Sequence, residues 1–178
     1  MKYNFLISLF VLSLLGCKSG FDVSHEKSEI DYQVINAFTS LRKINALKKD
    51  TFKPNDSLLL KLVESDGLNL FHYNLTENRK NIDFKELFSE QDFNLIKKGF
   101  EQLEIRKLDK KKMLKGVRAI KKIDDDREAR MITTPVIVPD KNYAFIYSES
   151  LSDGDLFCMK KENGKWIPFV SFPLWTSD

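Results

Sequence analysis

Apolar residues recur along this chain in two distinct rhythms. Ile30, Val34, Phe38, Leu41 and Ile44 follow one another at three- and four-residue steps behind Ser28 and Asp31. That spacing gathers side chains on one helical face and predicts a helix from Ser28 to near Asp50, ahead of Pro54. Ser57 to Glu64 (SLLLKLVE) is a short apolar run beside a turn at Asp66-Gly67, which predicts a buried strand. Leu68 to Leu75 alternates apolar and polar residues and predicts its hairpin partner, with a short helix as the alternative. Residues 76–83 are polar and read as a loop. Ser89 then stands as an N-cap before Glu90 and Asp92, with Phe93, Ile96, Phe100 and Leu103 at helical spacing, so a second helix starts there. Beyond residue 130 the rhythm shortens to that of strands: Met131–Val138, Asn142–Ser148, Leu156–Lys161 and Lys165–Phe172, separated by turn residues. Asn163-Gly164 is the clearest hairpin signal, because both residues tolerate positive φ. The expected fold class is α+β, with N-terminal helices packed on a C-terminal antiparallel β-sheet in meander order. Residues 28–178 form a single domain in this reading.

The first seventeen residues follow neither pattern. Lys2 precedes an apolar run from Phe5 to Leu15, broken only by Ser8 and Ser13. A membrane-spanning helix needs about 20 such residues, so the run suits the apolar region of a secretory signal instead. It ends in Leu14-Leu15-Gly16-Cys17, which resembles the lipobox of bacterial lipoproteins. The resemblance implies a signal peptide over residues 1–16, cleavage before Cys17, a diacylglycerol on the Cys17 sulfur, and a fatty acyl group such as palmitate on the new amino terminus. Two or three acyl chains hold a protein durably on a membrane where one does not. Residues 17–27 then read as the lipidated cysteine and a polar tether. Asp directly after the cysteine retains some lipoproteins in the inner membrane. Lys18 stands there instead, so the expected location is the outer membrane, facing the periplasm.

Further motifs lie at Tyr32 to Phe38 (YQVINAF), at Leu87 to Asp92 (LFSEQD), and in a C-terminal series: Thr134-Pro135, Asp140, Tyr143-Ala144, Tyr147, Asn163-Gly164-Lys165-Trp166 and Leu174-Trp175. Their order and spacing resemble a family of small, uncharacterised lipoproteins from Bacteroidetes-type bacteria. These motifs are turns and strand aromatics, so the resemblance implies a fold and an anchor and assigns no catalytic residues. The loop Glu149–Asp155 (ESLSDGD) departs from the Gly- and Cys-rich loop common in that family.

Composition narrows the chemistry. The 178 residues are 42% hydrophobic and 31% charged, ordinary globular values. Two cysteines exclude a disulfide-rich scaffold, and they could build a zinc cage only with help from histidines, of which there are two. There is no H-E-x-x-H, G-x-S-x-G, P-loop or G-x-G-x-x-G, and no cofactor or metal site is expected. His25 falls in the tether, and His72 reads as a strand residue with its ring at the surface. Cys158, the one thiol left once Cys17 is acylated, reads as a core residue. Asp124-Asp125-Asp126 with Glu128, and Asp153-Gly154-Asp155, read as solvated loops.

Net charge hides a polarity. Without residues 1–16 the chain carries only +2, yet Arg106, Lys107, Lys110, Lys111, Lys112, Lys115, Arg118, Lys121 and Lys122 face Asp109 alone. Those 17 residues hold +8, leaving −6 for the rest. If Met113, Val117 and Ile120 turn inward, the cations form an outward band. On a membrane-anchored protein such a band suits an anionic envelope component or a protein partner, and not nucleic acid. The expectation is a non-enzymatic binding module, of which an inhibitor or immunity-type protein is one version. Two rivals make structural demands of their own. A small envelope hydrolase needs carboxylates paired in a cleft, with the Asp124 to Glu128 group facing Asp153 or Asp155. A structural subunit needs an exposed apolar patch around Phe172 and Trp175.

Overall fold

The computed structural model describes residues 23–54, 57–64, 67–70, 72–75 and 82–177. The signal peptide, Cys17 and the start of the tether lie outside the described residues. Helix α1 spans Val23–Leu41, so it begins within the segment expected to be tether. It also stops nine residues earlier than the apolar spacing predicts. Lys43 takes a left-handed conformation (φ 52°), and the chain closes on the last turn through Lys43 N–H to Ser40 O (3.2 Å) and Ile44 N–H to Thr39 O (3.0 Å). This is the Schellman arrangement usually built on glycine. Ile44 still reaches the core, but as the residue after the cap. The chain then runs extended as β1 (Ala46–Lys48).

Ser57–Leu62 forms helix α2, not the strand its apolar run predicts. Leu59, Leu62 and Val63 are buried at helical spacing in one core cluster, and a short apolar run does not distinguish the two periods. Gly67–Leu70 is a turn of helix, α3, followed by the two-residue strand β2 (Tyr73–Asn74), so no hairpin joins these segments. Beyond the short α4 (Phe84–Leu87), α5 occupies Glu90–Glu101. Its N-terminus is the expected one: Ser89 Oγ accepts from Asp92 N–H, and Asp92 Oδ2 accepts from Ser89 N–H at 2.8 Å. This reciprocal pair satisfies two backbone donors at once.

Strand β3 (Arg118–Ile120) pairs in parallel with β1. The remaining strands are β4 (Met131–Ile132), β5 (Val136–Val138), β6 (Tyr143–Glu149), β7 (Asp153–Glu162) and β8 (Lys165–Thr176). They form an antiparallel sheet in the order β2-β8-β7-β6-β4, with β5 also paired to β6. The β7–β8 turn has Asn163 at φ 49° and Gly164 at φ 77°, as the Asn-Gly pair predicts.

The fold is α+β, with the helices divided between the two faces of the sheet. Tyr143, Phe145 and Tyr147 of β6 meet α2 to α5, while Ala144 and Ile146 meet Val34, Ile35 and Phe38 of α1. Period-two alternation sends neighbours to opposite faces, and here both faces are covered. β6 is therefore buried from Tyr143 to Ser148. Gly99 lets α5 lie close against β5, since a Cβ there would fall 2.4 Å from Val136 Cγ1.

Candidate functional site

The basic segment is a long connection from α5 to β3, and the structure fixes its backbone against α1. Leu108 and Met113 are buried, and Val117 packs partly on the same core cluster. Asn36 on α1 donates to Lys112 O and accepts from Leu114 N–H, both at 2.8 Å. Tyr32 Oη accepts from Asp109 N–H; burial lifts the Tyr32 phenol above its usual pKa, outweighing the lowering effect of that bond. The segment is thus strapped along α1 from Ser28 to Asn36.

Its nine cations divide by partner. Arg106 lies 3.7 Å from the buried Asp31 and 3.4 Å from Glu104. Lys112 reaches Ser28 Oγ at 3.3 Å and Glu29 at 3.9 Å, and sits 5.5 Å over the Tyr32 ring. Arg118 pairs with Asp126. Lys107, Lys110, Lys111, Lys115, Lys121 and Lys122 are exposed and form no ion pair among the described residues. Met113 and Val117 do turn inward, and Ile120 is half-buried.

Backbone pairing adds a cation that the linear run does not contain. Lys49 donates to Ile120 O at 2.7 Å and accepts from Leu108 N–H at 2.8 Å, and Asp50 bridges to Lys107. Lys49 therefore sits between the Lys107 stretch and the Lys121-Lys122 stretch, with Asp50 at 3.9 Å as its acid neighbour. Lys49 is thus a backbone neighbour of residues more than 50 positions away in sequence.

Beside this surface opens a cleft of about 970 Å³. Ile30 and Asp31 of α1, Leu95, Gly99 and Gln102 along α5 and its C-terminal end, Glu104, Arg106 and the Thr134–Ile137 stretch line it. The Arg106 guanidinium stands between Asp31 and Glu104 and compensates both carboxylates. Leu95 is half exposed at its rim.

The carboxylates expected as solvated loops behave differently from one another. Asp126 faces Arg118 and accepts from Glu128 N–H at 3.0 Å, closing its own turn. Asp153 and Asp155 instead lie on β7 in a charge network. Arg130, only 8% exposed, reaches Asp153 at 3.0 Å, Asp155 at 3.7 Å and Ser148 Oγ at 2.7 Å; Arg42 lies 3.9 Å from Asp155. Burial raises the Asp153 carboxyl, but hydrogen bonds from Ser150 and Arg130 and the charges of Arg130 and Arg42 outweigh it, so its pKa falls. Burial and the neighbouring Asp153 raise that of Asp155 despite the same two arginines. Asp126 and the Asp153–Asp155 pair each have arginine partners. No group of His, Cys, Asp and Glu among the described residues is arranged to hold a metal ion.

No protein-family model matches the chain, and no curated protein or solved structure is significantly similar to it.

Other expected positions resolve individually. Cys158 is fully buried, and burial pushes its thiol well above the ordinary range. His72 is not a surface ring: it packs 5.6 Å from Phe84 and 6.2 Å from Phe172, with Nδ1 buried. Phe172 is fully buried, and Trp175 donates to Tyr147 Oη at 2.9 Å, so these two residues do not form the exposed patch the subunit reading requires. No helix among the described residues is long and apolar enough to cross a membrane. Sequence reasoning missed Lys49, Asp31 and Arg130, whose surroundings are completed by distant segments. Asp31 and Arg130 stand beside apolar residues in the sequence, whereas Lys49 between Lys48 and Asp50 carries no such signal.

Proposed function

We propose that this protein is a lipid-anchored envelope component, acylated on Cys17 and held at the outer membrane facing the periplasm, that acts as a non-enzymatic binding module for an anionic partner. The observation that carries the binding reading is the set of six exposed lysines between Lys107 and Lys122 that lack acidic partners among the described residues. Concentrating like charges on a folded surface costs stability. Internal acids compensate Arg106, Lys112 and Arg118 but leave these lysines to an external one. Their backbone is braced by Leu108, Met113 and Asn36, so the charges sit on an ordered surface. The lipobox supports the anchor independently.

Two variants test the two halves. Cys17→Ser is expected to abolish metabolic lipid labelling and shift the protein from the membrane to the soluble fraction; persistent membrane association overturns the anchor. Reversing Lys110, Lys111 and Lys112 to Glu is expected to abolish co-purification of an envelope component captured by the unaltered protein. Equal capture by both forms removes the basic surface from the function. The cleft sustains a second reading, a small hydrolase, because Asp31 and Glu104 both face it. That reading requires glycan or peptide hydrolysis by the purified protein that Asp31→Asn and Glu104→Gln each abolish.

A further inference from the structure

Lys112 of the basic segment reaches the first turns of α1, the end that leads back to Cys17, and this juxtaposition points to what the lysines meet. Helix α1 begins at Val23, six residues beyond Cys17. Six residues span at most about 20 Å when fully extended, so the start of α1 cannot stand far from the bilayer that holds the anchor. Ser28 and Glu29, in the second turn of α1, are the residues that Lys112 touches. Lys110 and Lys111 occupy the same turn as Lys112, and Asp109 beside them is bonded to Tyr32.

We propose that Lys49 and the lysines from Lys107 to Lys122 form a bilayer-facing surface that binds phosphate-bearing lipid headgroups of the leaflet carrying the Cys17 anchor. This deepens the function proposed above and rests on its assignment of Cys17. Three features favour a lipid surface over a soluble acidic protein. The cations between 107 and 122 that lack acid partners are all lysines, which serve as hydrated point charges and do not demand the bidentate geometry that arginine supplies at protein interfaces. Two exposed apolar residues accompany the run, Ile105 just before it at 68% and Leu114 within it at 39% exposure, and such residues settle among headgroups beside lysines. The remaining −6 of the chain lies outside the segment, so an anionic leaflet attracts this face and repels the rest. Acyl chains and a polybasic patch then act as two signals on one membrane. The result is a fixed orientation: α1 and the basic connection lie toward the bilayer, and α2 to α5 point away.

Lysine footprinting of the mature, acylated protein tests this. The protein is inserted in vesicles of phosphatidylcholine alone or with about one-third phosphatidylglycerol and briefly labelled with an amine-acylating reagent. Labelling of Lys107, Lys110, Lys111 and Lys121 is expected to fall about fivefold or more in the anionic vesicles, the equivalent of about 1 kcal/mol per lysine, and to recover in high salt. Lys61 and Lys98, on the opposite face of the sheet, are expected to label equally in both. Lys110→Glu combined with Lys111→Glu is expected to leave flotation intact and abolish the salt-sensitive protection of Lys107 and Lys121. Flotation with equal labelling in both vesicles overturns the headgroup surface while leaving the anchor. Failure to float with phosphatidylcholine vesicles overturns the anchor and the proposal with it. Protection that appears in neutral vesicles only on adding envelope proteins, or only on adding inorganic phosphate, assigns the lysines to that ligand and overturns the proposal.

Discussion

Asp153 and Asp155 stand two positions apart on one face of β7, share Arg130, and ionise in opposite senses. Burial raises both carboxyls; for Asp153 it is outweighed by hydrogen bonds from Ser150 and Arg130. Asp155, raised further by the Asp153 charge, has only arginine charges 3.7 and 3.9 Å away to offset it. A carboxyl whose folded pKa is depressed contributes stability above its unfolded pKa and loses it as pH falls through the folded value. Asp153→Asn is therefore expected to cost about 1–2 kcal/mol at neutral pH, with the deficit closing as acid protonates the unaltered protein. Asp155, with its pKa raised, penalises the fold when ionised. Asp155→Asn is expected to cost less at neutral pH, and its stability relative to the unaltered protein to improve as pH rises through the carboxylate range. Urea unfolding of both variants from pH 3 to 7 measures this; parallel curves would refute the division. Gly154 lies between the two acids, and a Cβ there would fall 2.1 Å from Trp175 Nε1 and 2.5 Å from Tyr147 Oη. An Asp-Gly-Asp triplet looks like a turn in the sequence. Here it is a strand whose glycine admits the Trp175–Tyr147 hydrogen bond.

At the scale of elements, the connection from α5 to β3 behaves as part of α1's surface. Asn36 ties it on both sides of Met113, through Lys112 O and Leu114 N–H. Asn36→Ala is expected to leave the fold intact, at a cost of about 1–2 kcal/mol for two lost bonds, and to raise amide hydrogen exchange across residues 110–116 specifically. Uniformly faster exchange over α1 and the sheet would contradict the strap. α5 and the strands from β6 onward were legible in the sequence because their signals are local: a capping box, an Asn-Gly turn, and aromatic-rich runs bounded by turn residues. α2 was not, since a short, mostly apolar segment carries no decisive period. The end of α1 was missed for a different reason. Lys43 is in the left-handed region without being a glycine, and the apolar spacing continues through Ile44 although the helix does not.

For the whole molecule, the lysines without ion pairs among the described residues repel one another and so cost stability. Strand pairing brings the backbones of Lys107 and Lys121 to either side of the Lys49-Asp50 stretch. Replacing Lys107 and Lys121 together with Gln is expected to raise the thermal midpoint by about 1–2 °C at low ionic strength. Screening removes repulsion between exposed charges as salt rises, so the gain is expected to vanish near 0.5 M salt. A lowered midpoint at low salt would show that the lysines stabilise the fold themselves.

By itself the sequence determined the α+β class, the C-terminal meander, the core placement of Cys158 and the concentration of charge between residues 106 and 122. Each of these is written in neighbouring positions, where periodicity, turn chemistry and local composition act over a few residues. Tertiary structure alone decided which faces of the sheet the helices cover, which three of the nine cations find acids, and that Lys49 joins the rest. It also turned Asp153 and Asp155 from loop residues into a buried arginine network. Those outcomes depend on strand register and chain crossing. A one-residue slip in either would exchange buried for exposed side chains throughout, and nothing within a few residues of Lys49 or Asp155 encodes which distant segment will lie beside it.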